Sequence, residues 1–203
     1  MAQTSLSKSE ALQLEYDNDN KAFLGFWVYI MTDCILFASL FAVYAVLHGN
    51  NFGGPVASEI FNLPYVMIET LLLLTSSFTC GLAMISLQNK DTSRVRLFFI
   101  ITFLLGLSFL VMEVKEFHHL AVIGDSWTKS GFLSSYFTLV GTHGLHITVG
   151  LIWMAVMISR ISKAKLNHAN IRRMKMLALF WHFLDVIWIF IFSLVYLFGV
   201  LNK

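Results

Sequence analysis

Long apolar stretches separated by short polar connections dominate this chain. Five of them run approximately over Ala22–Leu47, Pro64–Leu87, Leu97–Leu120, Phe132–Ser159 and Met176–Val200. Each exceeds the roughly 20 residues that a helix needs to cross a hydrocarbon core. The apolar positions are near-continuous rather than alternating, which argues against strands, and within lipid only a helix satisfies every backbone group of such a segment. The pattern predicts an all-α fold: a polytopic transmembrane bundle of five helices over residues 22–203, with no internal repeat and no second domain. A polar segment, residues 1–21, precedes it. Its acidic residues Glu10, Glu15, Asp17 and Asp19 make it read as a short, partly disordered cytoplasmic tail. It has neither the apolar centre nor the cleavage site of a signal peptide, so the first apolar run is read as a retained anchor.

The connections set the orientation. Gln88–Arg96 holds Lys90, Arg94 and Arg96, and Arg160–Lys175 holds Arg160, Lys163, Lys165, Arg172, Arg173 and Lys175. The Gly- and Pro-containing connection His48–Leu63 has no Lys or Arg, and Ala121–Gly131 has only Lys129. Because basic loops stay on the cytoplasmic side, the N-terminus is expected inside and the C-terminus outside. Lys8 and Lys21 agree. The basic fourth connection is read as a topology signal brushing anionic headgroups rather than as a specific lipid site.

Composition agrees with a lipid-embedded chain: of 203 residues, 57% are hydrophobic and 13% charged, with a mean hydropathy of +0.72. A soluble domain carries about twice that share of charge. Cys34 and Cys80 lie in apolar runs without Cys-x-x-Cys spacing and read as small buried hydrophobes.

Ionisable groups inside the apolar runs need an explanation, because each is costly in hydrocarbon. They are Asp33 in the first run, Glu69 in the second, and Glu113, Lys115, Glu116, His118 and His119 in the third. The fourth run adds His143 and His146, and the fifth His182 and Asp185. At a rise of about 1.5 Å per residue, Asp33, Asp185, His146 and His182 lie about 16, 14, 20 and 9 Å from the inner ends of their helices. These four are expected to meet in the middle and inner part of the bundle, with at least one Asp–His contact between helices: Asp33, or alternatively Asp185, with a histidine of the fourth. Glu69, Glu113 and Glu116 fall toward the outer side, and His118 and His119 at the outer interface.

Three chemistries compete for these residues. Glu116 and His119 have the E-x-x-H spacing of di-iron bundles, and His143 with His146 could offer a haem ligand, but a di-iron site needs a second pair and further carboxylates. A proton or solute pathway would use intramembrane carboxylates, yet transporters show repeats or broken helices. Here both prolines, Pro55 and Pro64, lie at or before the start of the second run. The third chemistry is structural: carboxylate–histidine hydrogen bonds that fix helix register, with Gly141, Gly144 and Gly150 allowing one close helix approach. Composition and spacing favour this last reading. No nucleophile–base constellation, phosphate loop or nucleic-acid-binding patch is present, so nucleic acid is not an expected partner.

Taken in order, several blocks carry a resemblance. They are Gly25-Phe26-Trp27 with Thr32-Asp33-Cys34, Met112-Glu113 with Glu116-Phe117-His118-His119, Gly141-Thr142-His143-Gly144-Leu145-His146, and Trp181-His182-Phe183-Leu184-Asp185-Val186-Ile187-Trp188. Over essentially everything after Lys21 the chain resembles subunit III of the haem–copper oxidases. The seven-helix form of that family has two further helices before the first run. The five-helix version is similar to subunit III of cytochrome bo-type ubiquinol oxidases. Many cytochrome c oxidase members carry Glu where this chain has Asp33, which leaves the proton-buffering role sometimes given to that Glu unassigned here. The resemblance implies a non-catalytic accessory subunit in the bacterial cytoplasmic membrane. It would hold no cofactor or metal, pack against a catalytic subunit I that carries the haems and copper, and bind phospholipid. It would support assembly and lasting proton uptake in a proton-pumping complex that oxidises ubiquinol and reduces oxygen to water. A stand-alone proton-coupled transporter is the alternative from another class.

Overall fold

The computed structural model describes residues 8–49, 62–123, 130–163 and 167–201. Five long helices account for most of them: α1 (Lys8–Leu47), α2 (Leu63–Gln88), α3 (Thr92–Ile123), α4 (Gly131–Lys163) and α5 (His168–Ile191). A π-helical turn, Phe192–Leu197, and a last short helix, α6 (Phe198–Leu201), continue α5. Among the described residues, five helical spans are long and apolar enough to cross a membrane.

Each helix outruns its apolar stretch. The expected partly disordered tail is helical from Lys8 onward, because its residues include good helix formers and no Gly or Pro, and backbone hydrogen bonding need not stop where the side chains turn polar. The second connection shrinks to residues 89–91. Asp91 N bonds Ser86 O at 3.2 Å and Lys90 N bonds Leu87 O at 3.1 Å, closing α2 with Lys90 in the left-handed region at φ 56°. Asp91 then opens α3: its Oδ1 accepts from Arg94 N at 3.2 Å and its Oδ2 pairs with Arg94 Nε at 3.1 Å. In the fourth connection Arg160 belongs to α4, whereas Arg172, Arg173 and Lys175 belong to α5. Gly53, Gly54, Pro55, Lys129 and Lys165 lie outside the described residues.

Helices α2 to α5 close a four-helix bundle in which α2 packs on α3, α3 on α4, α4 on α5, and α5 back on α2. Adjacent members are antiparallel: Trp181 and Trp188 of α5, for example, meet Ser76 and Thr70 of α2 in reverse order. Helix α1 packs outside this ring, against α4 and α5. Aromatic side chains fill the centre, with Phe37, Phe109, Tyr136, Trp181, Trp188 and Tyr196 all buried. Apolar residues also cover the outside, and on α1 alone Leu24, Val28, Met31, Ile35 and Val46 are exposed. Cys34 is exposed too, contrary to the sequence expectation, while Cys80 is buried as expected. Asp33 turns inward, and one residue later the helix has rotated about 100°, which carries Cys34 to the outer face.

Candidate functional site

At the end of the bundle that holds the basic residues, Asp19 of α1 reaches two groups of α5. Its Oδ1 accepts from Arg172 Nη1 at 2.5 Å and its Oδ2 lies 3.4 Å from His168 Nε2. Sequence alone gave Asp19 no partner, because the pair lies 153 residues apart.

Halfway along the bundle the expected Asp–His contact forms between α1 and α4. Asp33 is 6% exposed, and its Oδ2 stands 3.7 Å from His146 Nε2. His146 Nδ1 lies 2.7 Å from the Thr142 carbonyl. A carbonyl only accepts, so Nδ1 carries a hydrogen. Asp33 and the far ring nitrogen then face each other as two acceptors unless one of them holds a proton. The Phe37 ring closes the pair off, with its centroid 5.2 Å from the imidazole.

Asp185 does not join them. It is buried and lies 3.8 Å from His182 of its own helix rather than from a histidine of α4. His182 Nδ1 also meets Ser77 Oγ of α2 at 2.7 Å. Ser, His and Asp are therefore together, but Ser77 and Asp185 address the same ring nitrogen. A nucleophilic triad needs them on opposite nitrogens. The four groups expected in one layer thus form two separate pairs, Asp33–His146 between α1 and α4 and His182–Asp185 within α5, the latter joined to α2 through Ser77.

His143 and His146 likewise face different ways. His143 is fully buried, and its Nε2 donates to the Leu184 carbonyl of α5 at 3.3 Å. Its ring packs against Phe109 and Trp188, which also pack on each other. The candidate E-x-x-H separates too: Tyr196 Oη donates to Glu116 Oε2 at 3.4 Å, while His119 is exposed, as are Lys115 and His118. Among the described residues no group of three or more His, Cys, Asp or Glu side chains is placed to hold a metal ion.

Toward the other end, Glu69 of α2 and Glu113 of α3 are 0% and 2% exposed. Beside them Glu116 meets Tyr196, and Tyr196 Oη lies 2.9 Å from Tyr136 Oη. The π-helical turn carries Tyr196 to this position, and the hydroxyl of Tyr44 on α1 reaches the Val195 carbonyl of the same turn at 3.5 Å.

The glycines of α4 serve two neighbours, not the single close approach expected. Gly144 and Gly141 admit Glu113 and Phe117 of α3, whereas Gly150 admits Trp181 of α5. Spacing identified the notches but not what enters them. The sequence reading also missed the Ser/Thr–Trp bonds between α2 and α5: Trp188 Nε1 to Thr70 Oγ1 and Trp181 Nε1 to Ser76 Oγ, both 3.1 Å. The signal was available, since Trp181 and Trp188 stand two helical turns apart, as do Thr70 and Ser76 to within one residue.

Every polar side chain singled out here sits between helices or at the surface, an arrangement suited to holding helices in register rather than to covalent chemistry. The chain matches the model of the family described as cytochrome c oxidase subunit III over residues 19–200. It is 53% identical to the cytochrome bo(3) ubiquinol oxidase subunit 3 of Pseudomonas putida, over 92% of this chain and 90% of that protein. The protein of the same name from Pseudomonas aeruginosa is 50% identical over 92% of this chain and 89% of its own length. The cytochrome c oxidase subunit 3 of Bacillus sp. (strain PS3) is 45% identical over 89% and 87%. A match of this extent places the chain in the cytochrome c oxidase subunit III family.

Proposed function

We propose that this chain is the third, non-catalytic subunit of a bacterial terminal oxidase that takes electrons from ubiquinol, and that its work is to support the catalytic subunit. It sits in the cytoplasmic membrane among other oxidase subunits, packed against the one that carries the haems and copper, with phospholipid around it. The quinol reading rests on the Pseudomonas relatives, which are more similar to this chain than the Bacillus cytochrome c oxidase subunit is. The observation that carries the supporting role is the use of the polar groups. Asp33 faces His146, Ser77 bonds His182, and Tyr196 bonds Glu116, each across a helix interface. Helix α1, packed on α4 and α5 outside the four-helix ring, presents an apolar outer face that suits lipid or a neighbouring subunit.

The N-terminus and the α2–α3 and α4–α5 turns face the cytoplasm in this reading. Lys21, Arg94, Arg160, Arg172, Arg173 and Lys175 all belong to that end of the bundle.

Purification of the oxidase with and without this chain tests the role. With the chain present, it should run with a far larger haem-bearing complex. Without it, the yield of assembled complex should fall and inactivation during turnover should quicken, while early turnover per haem stays nearly intact. Loss of turnover from the first second in a normally assembled complex would replace the supporting role with direct proton transfer. Migration of the chain by itself would favour a transporter.

A further inference from the structure

Glu69, Glu113 and Glu116 come from two helices and converge at the end of the bundle away from the basic residues. Glu69 lies about 9 Å along α2 from its start, and Glu116 and Glu113 about 10 and 15 Å back from the end of α3. Glu116 is within electrostatic reach of both other carboxyls, and Glu69 of Glu113. Neither oxygen of Glu69 or of Glu113 has a hydrogen-bond partner, although both side chains are all but completely buried. Among the described residues no Lys, Arg or His pairs with any of the three.

The groups facing them are neutral hydroxyls from the other helices. Tyr136 of α4 and Tyr196 of the π-helical turn are buried, bonded to each other, and joined to Glu116 through Tyr196. Tyr65 of α2 stands near Glu69 and Glu116 and donates to the Met112 carbonyl at 3.1 Å. On α1, Tyr44 is directed to the Val195 carbonyl. His143 of α4 is turned to Leu184. Gly144 leaves room for the Glu113 carboxyl on α4, where a Cβ would approach Oε1 to 2.8 Å.

Buried like charges cannot stay together without a counter-ion or a proton. A proton removes the charge of a buried carboxyl that has no hydrogen-bond partner, and it is the ligand that Glu69 and Glu113 suit. We propose that Glu69, Glu113 and Glu116, capped by Tyr136 and Tyr196, form a site that binds exchangeable protons. Glu69 and Glu113 hold protons as carboxylic acids. Glu116, the half-buried member, exchanges its proton with water at that end and with the two tyrosine hydroxyls. The site belongs to this chain and does not depend on which electron donor the complex uses.

Infrared spectroscopy of the assembled complex, in ordinary and in heavy water, tests this by the carbonyl stretch of protonated carboxylic acids. Glu69→Gln and Glu113→Gln should each remove intensity that shifts in heavy water. Glu69→Asp and Glu113→Asp, which keep an acid on a shorter stem, should move that intensity rather than abolish it. Glu116→Gln should change how the remaining intensity responds to pH. An unchanged band in both Gln variants would overturn the proposal. Should the Gln variants not assemble, the Asp variants decide it: a moved band supports the site and an unmoved one overturns it.

Discussion

The indole of Trp181 fills the notch that Gly106 leaves on α3: a Cβ at Gly106 would come within 2.7 Å of two carbons of that ring. A Cβ at Gly150 of α4 would likewise come within 3.1 Å of the ring, and the ring Nε1 donates to Ser76 of α2. One α5 side chain thus gauges the spacing of all three other helices in the four-helix ring. A rigid ring held on three sides has nowhere to move.

Gly106→Ala should therefore lower the stability of the bundle, by about 1–3 kcal/mol as expected for overpacking. Gly81 of α2 has open space around its missing Cβ, so Gly81→Ala should be neutral or slightly stabilising through helix propensity. Thermal inactivation of the purified complex reads both. Equal losses at the two positions would contradict the wedge.

The Asp33–His146 pair should behave as one unit. Asp33→Asn keeps the shape and an acceptor and should be mild, whereas Asp33→Leu leaves His146 without its partner across the α1–α4 interface. The Leu change should cost roughly 1–2 kcal/mol, since polar contacts between membrane helices are modest. Combined with His146→Leu it should add less than the sum of the two single changes. The fraction of α1-containing complex surviving detergent and heat measures it, and strict additivity would show that the pair does not interact.

Lys90 holds a left-handed conformation that a side chain disfavours. Lys90→Gly should relieve this, while the freer glycine backbone offsets part of the gain. The net result should be a rise in thermal stability worth about 1 kcal/mol or less. A fall would mean that the Lys90 side chain contributes more than its backbone costs.

Topology can be read by thiol labelling in a variant whose Cys34 and Cys80 are replaced by Ala. Asn50→Cys and Ser126→Cys should react with an impermeant reagent added to intact cells, and Asn167→Cys only after the membrane is opened. The reverse pattern would invert the bundle.

Sequence by itself determined the number of helices, because spanning length is a local property that a run of apolar residues displays directly. It also singled out the ionisable residues within the apolar runs and, through the order of the motifs, the family. The helix ends escaped it: backbone hydrogen bonding carries α1 back to Lys8 and α4 on to Lys163, past the last apolar side chain. Partner choice escaped it as well. Spacing placed Asp33 and Asp185 at similar depths, yet only the rotation of each helix about its own axis gave His146 to Asp33 and left Asp185 with His182. The same rotation set Gly144 against Glu113 but Gly150 against Trp181, and a π-helical turn, invisible in the apolar pattern, brought Tyr196 to Glu116. Which helix lies opposite a given face depends on how all the helices pack at once, and no single segment encodes that.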